Sequence, residues 1–145
     1  MPASQPRPEQ IEGLVKRHPE GDLYMLNLLK FREKAIYADG RETDLSGQQA
    51  YMIYGGAVQQ IIEGFGGGLV FGGVANALVI GDGELEWDWI GLMRYPSFAH
   101  FQGMTASDEY QAIHVHRDAG LEHQVLINCL DLAQSMERLQ AAVQA

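Results

Sequence analysis

Cysteine is all but absent. Cys129 is the only one, so no intrachain disulfide can form and a reducing compartment is the simple expectation. Positive charge is scarce as well. Ten Lys and Arg stand against nineteen Asp and Glu, giving a net charge of −9 and an isoelectric point near 4.8. That balance argues against a nucleic-acid-binding surface and against docking on anionic lipid. No apolar run approaches the length of a membrane span, and the opening Met1-Pro-Ala-Ser-Gln-Pro-Arg-Pro lacks the apolar core of a signal peptide. The expectation is a soluble, cytoplasmic protein.

The usual signatures of chemistry are missing too. There is no H-x-x-x-H, no C-x-x-C, no paired-carboxylate cluster, no serine nucleophile elbow and no cofactor fingerprint. His114-Val115-His116 has the look of a metal pair. On a helix, however, residues two apart point about 200° apart and cannot share one ion. The glycines of 64–68 follow a helix and precede a strand, the reverse of a phosphate cradle, and left-handed C-capping accounts for them without a ligand. Neither a metal nor a cofactor is expected.

What the chain does have is apolar strands. Its 145 residues, 46% apolar and 20% charged, suit a single domain over 1–145. A short helix opens at Pro8 with Ile11, Leu14, Val15 and His18 on one stripe, and Pro19-Glu20-Gly21-Asp22 stops it. A strand over Leu23–Phe31 follows. In the polar connection from Arg32 to Leu45, Asp39-Gly40 is a type I′ hairpin signal, with a plain loop as the alternative. Ser46 caps the main helix, which runs to about Gly64 with Ala50, Tyr54, Ala57, Val58, Ile61 and Phe65 inward. Then come a glycine-interrupted strand over Leu69–Ile80, a strand over Trp87–Tyr95, a helical region broken at Thr105-Ala106-Ser107, a strand over Leu121–Leu132 and a C-terminal helix.

Without its terminal helices the order is β-α-β-β-α-β. This is an α+β ferredoxin-like sandwich, a four-stranded antiparallel sheet with helices on one face. The core is expected over about 21–131, with a helical extension over 1–20 and a C-terminal helix over 132–145. Its strands have no solvent face. Leu23, Met25, Leu29 and Phe31 oppose Tyr24, Leu26 and Leu28; Trp87, Trp89, Met93 and Tyr95 oppose Ile90 and Leu92; Val125, Ile127 and Cys129 oppose Leu126, Asn128 and Leu130. A sheet apolar on both sides needs a second cover. A second copy of the chain is the expected cover, forming a homodimer through the open sheet face. The chain's own terminal helices would hide only part of that face.

Polar residues in these apolar stretches are the candidate site. Arg117 shares a packed stripe of the last core helix with Tyr110, Ile113 and His114, where an unpaired guanidinium would be very costly. Its partner is either a structural carboxylate (Asp88, Asp108 or Asp118) or the oxyanion of a ligand, with His116 or His114 as the acid/base. Asn27 sits inside an apolar strand and Tyr54 on the inward stripe of the main helix, each placed either to contact a ligand or to satisfy the core. Lys30 is expected to reach outward, and Trp87 and Trp89 to share a face.

Several segments together resemble a known family. They are Asn27-Leu28-Leu29-Lys30-Phe31-Arg32, Tyr37-Ala38-Asp39-Gly40-Arg41, Ser46-Gly47 with Ala50-Tyr51, Arg94-Tyr95-Pro96-Ser97, Glu109-Tyr110-Gln111 and His116-Arg117-Asp118-Ala119-Gly120-Leu121. In this order, over about Gly21 to Leu130, they resemble domain of unknown function 1330 in its longer form. The resemblance implies the dimeric α/β-barrel superfamily, whose members include cofactor-independent monooxygenases, small isomerases, dehydratases, heme-dependent enzymes and regulatory ligand-binding proteins. It implies no particular reaction, and fold alone cannot choose among these. The expectation is a homodimeric small-molecule-binding protein. As an enzyme it would carry out proton transfer or oxygenation on a small anionic or aromatic substrate, with Arg117 holding the oxyanion, His116 moving the proton, and Asn27, Tyr54 and His114 binding substrate. The alternatives are a non-catalytic regulatory module and a structural dimer with no ligand.

Overall fold

A computed structural model describes residues 3–17 and 20–144. His18, placed above on the first helical stripe, lies outside the described residues. The elements run α1 (Pro8–Arg17), β1 (Leu23–Phe31), α2 (Gly47–Gly64), β2 (Gly68–Val74), β3 (Trp89–Tyr95), α3 (Phe98–Ala106), α4 (Asp108–Gly120), β4 (Leu121–Cys129) and α5 (Leu132–Gln144). The four strands form one sheet in the order β2-β3-β1-β4, and each neighbouring pair is antiparallel. This is the ferredoxin-like topology expected from the order of elements.

Local chemistry explains the boundaries. Ser46 accepts from the Gln49 N–H while the Gln49 side chain accepts from the Ser46 N–H, a complete capping box that starts α2. At the other end, Gly66 takes a left-handed φ of 81°. Its N–H donates to Glu63 O and that of Gly67 to Ile62 O, the Schellman arrangement that only a residue without a Cβ adopts freely. The buried residues are Ala50, Tyr54, Val58 and Ile62, in strict four-residue steps, and the expected Ile61 and Phe65 pack against the same core partly buried. Ser107 closes α3 and caps α4, which makes the expected break a cap-to-cap junction.

Three expectations on the connections are corrected. Asp39-Gly40 makes a turn, with Gly40 at φ 82° and its N–H donating to Tyr37 O, inside a loop rather than a hairpin. β2 stops at Val74, not Ile80, because β3 begins only at Trp89. The Asp88 carbonyl takes the Ala75 N–H, its N–H goes to Leu29 O and its carboxylate accepts from the Phe31 N–H, so residues 76–87 have no strand to pair with and form an arm. For the same reason the tryptophans part company. Trp89 pairs with Leu29 on the helix side, whereas Trp87, ahead of the strand, stacks on His123 on the other face.

The core lies between α2, α4 and the sheet, around Leu23, Met25, Tyr54, Val58, Ile62, Tyr95, Met104 and Tyr110. The far face of α4 is covered by the 33–45 loop. Ala35 and Tyr37 pack with Ala50 and Ala119, while Ala35 N–H donates to Leu45 O and Ile36 N–H to Ala119 O. Thus the second cover of α4 comes from the chain itself. Among the described residues no segment covers the open sheet face to that extent, and Phe71 and Ile127 on it stay exposed.

Two glycines set the helix layer. A Cβ on Gly120 would fall on the carbonyl oxygen of Gly47 and 2.8 Å from Tyr51 N, and a Cβ on Gly47 would lie 2.6 Å from Arg32 N. Alanine ordinarily gains up to about 1 kcal/mol over glycine in a helix, but overpacking against backbone costs about 1–3 kcal/mol or more. Gly120→Ala is therefore expected to lose about 2 kcal/mol in urea unfolding, while Gly56→Ala, which meets open space, is expected to be neutral or stabilising.

Candidate functional site

Arg117 is the buried charge among the described residues, 9% exposed on the inward side of α4. Its Nη1 donates to Asp118 Oδ1 at 2.8 Å, and its Nη2 donates both to Ser4 O at 2.6 Å and to Gln124 Oε1 on β4. Gln124 Nε2 in turn donates to Asn27 Oδ1 at 2.8 Å, and Asn27 Nδ2 reaches the carbonyls of Met25 and Gly91, each at 3.3 Å. From the other side His114 Nδ1 lies 3.0 Å from Asp118 Oδ2. A continuous polar relay, His114–Asp118–Arg117–Gln124–Asn27, therefore crosses from α4 to the middle of the sheet.

Of the five candidate residues, the structure joins Arg117, His114 and Asn27. His116 lies apart, its Nδ1 2.8 Å from the Tyr37 hydroxyl under the 33–45 loop. Tyr54 is separate as well, donating to the Tyr110 hydroxyl at 3.4 Å inside the core. Asp118 and Gln124 are the links. Asp118 was one of three carboxylates considered for Arg117, while Gln124 was overlooked. Its signal was the one used for Asn27, a polar residue at a helix-facing position of an apolar strand. It stands opposite Leu29, on the row next to Asn27.

The relay ends beside a stretch of the sheet where two glycines stand together. Gly72, Gly91 and Asn27 are cross-strand neighbours, so two adjacent positions carry no side chain. The Trp89 indole fills part of this space. A Cβ on Gly72 would lie 2.9 Å from Trp89 Cζ2, and one on Gly91 would lie 3.2 Å from Trp89 Nε1. The 3–5 segment closes the relay's outer end. Beyond the Ser4 carbonyl on Arg117, Gln5 Nε2 donates to Asp118 Oδ1 at 2.7 Å and the Gln124 N–H donates to Ala3 O at 2.8 Å.

Electrostatics follow from this packing. Burial opposes ionisation of Asp118, but the His114 hydrogen bond, the charges of His114 and Arg117 and the Gln5 amide outweigh it, holding the carboxyl below its ordinary 3.8. Burial pushes the Tyr51 hydroxyl up to about 12, with Arg117 pulling the other way, and burial raises Tyr54 and Tyr95 further. These tyrosines stay neutral donors. Among the described residues no group of three or more His, Cys, Asp or Glu is placed to hold a metal ion, and no helix is long and apolar enough to cross a membrane.

The sheet order and helix placement define the class as a ferredoxin-like α+β protein. The chain belongs to the family described as domain of unknown function (DUF1330), whose model matches residues 37–128. It is similar to the RPA0582 protein of unknown function from Rhodopseudomonas palustris, with 30% identity over 91% of this chain and 98% of that one and a TM-score of 0.82. A crystal structure of methylated RPA0582 protein gives 34% identity over 90% and 96%, again with a TM-score of 0.82. An uncharacterized NIPSNAP domain protein from Burkholderia xenovorans shares the fold, at 16% identity over 77% and 95% with a TM-score of 0.51. No curated protein matches the chain.

Asp118 makes the relay pH-sensitive. A carboxyl with a lowered folded pKa adds stability that is complete above the unfolded value near 4 and disappears as pH falls through the lower folded value. With its carboxylate about a third exposed, the pair is worth about 1 kcal/mol after screening. Asp118→Asn is expected to lose that amount in urea unfolding at pH 6, and the difference from wild type should shrink as the pH falls below the unfolded value near 4.

Proposed function

We propose that this protein is a homodimeric small-molecule-binding protein, one domain with its ligand held between the helices and the sheet. The observation that carries the reading is the relay itself. A guanidinium is buried at considerable desolvation cost and connected, through two side-chain amides, to a part of the sheet where two glycines admit the Trp89 indole. Asn27 and Arg117 are the ligand-recognising groups, and Trp89 is the apolar floor. The fork of Arg117 suits a carboxylate, and the Ser4 carbonyl occupies the position on Nη2 that one carboxylate oxygen would take. A small anionic, flat molecule fits these three groups.

The same residues bear on the choice between binding and catalysis. Arg117 is anchored by Asp118, Ser4 and Gln124, and His116 is turned to Tyr37, away from the relay, which favours a binding or regulatory role. If the site turns over its ligand, His114 is the group in the relay able to move a proton, with Asp118 orienting it. Such a reaction would be proton transfer or oxygenation without a cofactor.

Dimerisation rests on the open sheet face, where Tyr24, Leu26, Leu28, Phe71, Ile90, Leu92, Val125 and Ile127 make a continuous apolar surface. Covering it with a twin would bury roughly 600–1,000 Å² per subunit. The lone cysteine suits a cytoplasmic setting.

Trp87 and Trp89 provide the readout. A panel of small carboxylates, aromatic and aliphatic, is expected to include compounds that change tryptophan emission and saturate. Arg117→Met should weaken such binding about 10- to 100-fold, the value of one charged hydrogen-bond partner, while circular dichroism and dimer mass stay those of wild type. A flat response across the panel would refute the reading. Loss of folding in the Met variant would assign Arg117 to structure.

A further inference from the structure

The C-terminal helix is packed inside out. Leu132, Met136, Leu139 and Val143 fall on one narrow stripe of α5, and all four are exposed. The half-buried residues of the helix are Gln134 and Ser135, and Gln134 Oε1 is buried without a partner. An amphipathic helix that settles on its own chain puts its apolar stripe inward. This one turns the stripe outward and buries an amide. The arm at 76–87 has the same character. It is pinched at its neck by the Ala75–Asp88 hydrogen bond, and it carries Val79 and Ile80 at 89% and 92% exposure, with Leu78 beside them.

The surface area gives the scale of what is missing. A compact monomer of 16.0 kDa has an accessible surface of about 7,400 Å². This chain exposes 9643 Å². The excess, about 2,200 Å², is within the 1,000–2,500 Å² per subunit that an obligate two-chain interface buries. It is about two to four times what the sheet face would supply, which leaves area for the projecting elements in the covered surface.

We propose that α5 and the 76–87 arm form a reciprocal clasp with a second copy of this chain, the apolar stripe of each α5 lying against the arm of the other subunit. The inference rests on the two-copy reading and extends it to elements outside the ferredoxin-like core. A two-fold axis makes the arrangement self-complementary, since each copy supplies one stripe and one arm tip. Two like-charged surfaces would not do this, but the stripe and the tip of the arm (Leu78, Val79, Ile80) are both uncharged, which leaves burial as the driving term.

Sedimentation velocity from micromolar to nanomolar concentration tests it on the full chain and two variants, Val79→Asp/Ile80→Asp and Leu132→Gln/Leu139→Gln. Both alter exposed side chains and leave the core intact. Each variant is expected to raise the dimer dissociation constant at least 100-fold with an unchanged circular dichroism spectrum. In a Cys129→Ser background, Ile80→Cys with Leu139→Cys is expected to crosslink between subunits on oxidation. A wild-type dimer whose dissociation constant neither variant moves would overturn the clasp and leave the sheet-face dimer standing. A crosslink within one chain would overturn it as well, and so would one that joins dimers into larger species. A wild type that is monomeric throughout would remove both readings.

Discussion

The close passage of α2 over α4 is the constraint on which the site depends. At Gly47 and Gly120 the two helices meet backbone to backbone, and Gly47 also lies against Arg32 at the end of β1. Nothing with a side chain fits there. Because the C-terminal end of α4 is pinned at this depth, Arg117, one turn back, is carried beneath the surface and over β4, where Gln124 meets it. Arg32 N–H donating to Gly120 O and Ile36 N–H to Ala119 O tie the same helix end to the chain leaving β1. A side chain at either glycine would lift α4 and separate Arg117 from the sheet.

Burying a guanidinium is costly, and the molecule offsets it with partners from three directions. Asp118 comes from the same helix, Gln124 from the neighbouring strand and Ser4 from the N-terminal segment. Only the first lies on the same element; Gln124 stands seven residues on, in β4, and Ser4 is 113 residues away. This explains why the residue reads ambiguously from sequence. The stripe on α4 says that Arg117 is inward and needs an acceptor, but not which acceptor. Asn27 shows the same limit. Its place in an apolar strand is evident, while the amide that completes it lies 97 residues away.

Polar pairing also separates the candidates that spacing grouped together. His114 and His116 are two residues apart and serve different surroundings, one the Asp118 carboxylate and the other the Tyr37 hydroxyl. Tyr37 stands in a loop whose pattern suggested a hairpin, and its burial comes from packing on Ala50 and Ala119. No local signal in residues 32–45 announces that role. Tyr54 is inward as its helical position indicated, but its hydroxyl meets Tyr110 and so belongs to the core. Outside the core, the open sheet face, the arm and the α5 stripe all leave large apolar groups in water.

The sequence alone determined the order of elements, the capped start and glycine end of α2, the break at Ser107 and the two-sided apolar strands. These are set by short-range effects: side-chain period, capping hydrogen bonds, and the freedom of glycine to take a left-handed φ. Tertiary structure decided where β2 stops, which faces Trp87 and Trp89 take, what covers α4, and which polar side chains form one relay. Each of those depends on a partner distant in the chain. Strand length is limited by the neighbouring strand, and a buried polar group is placed by the acceptor that satisfies it.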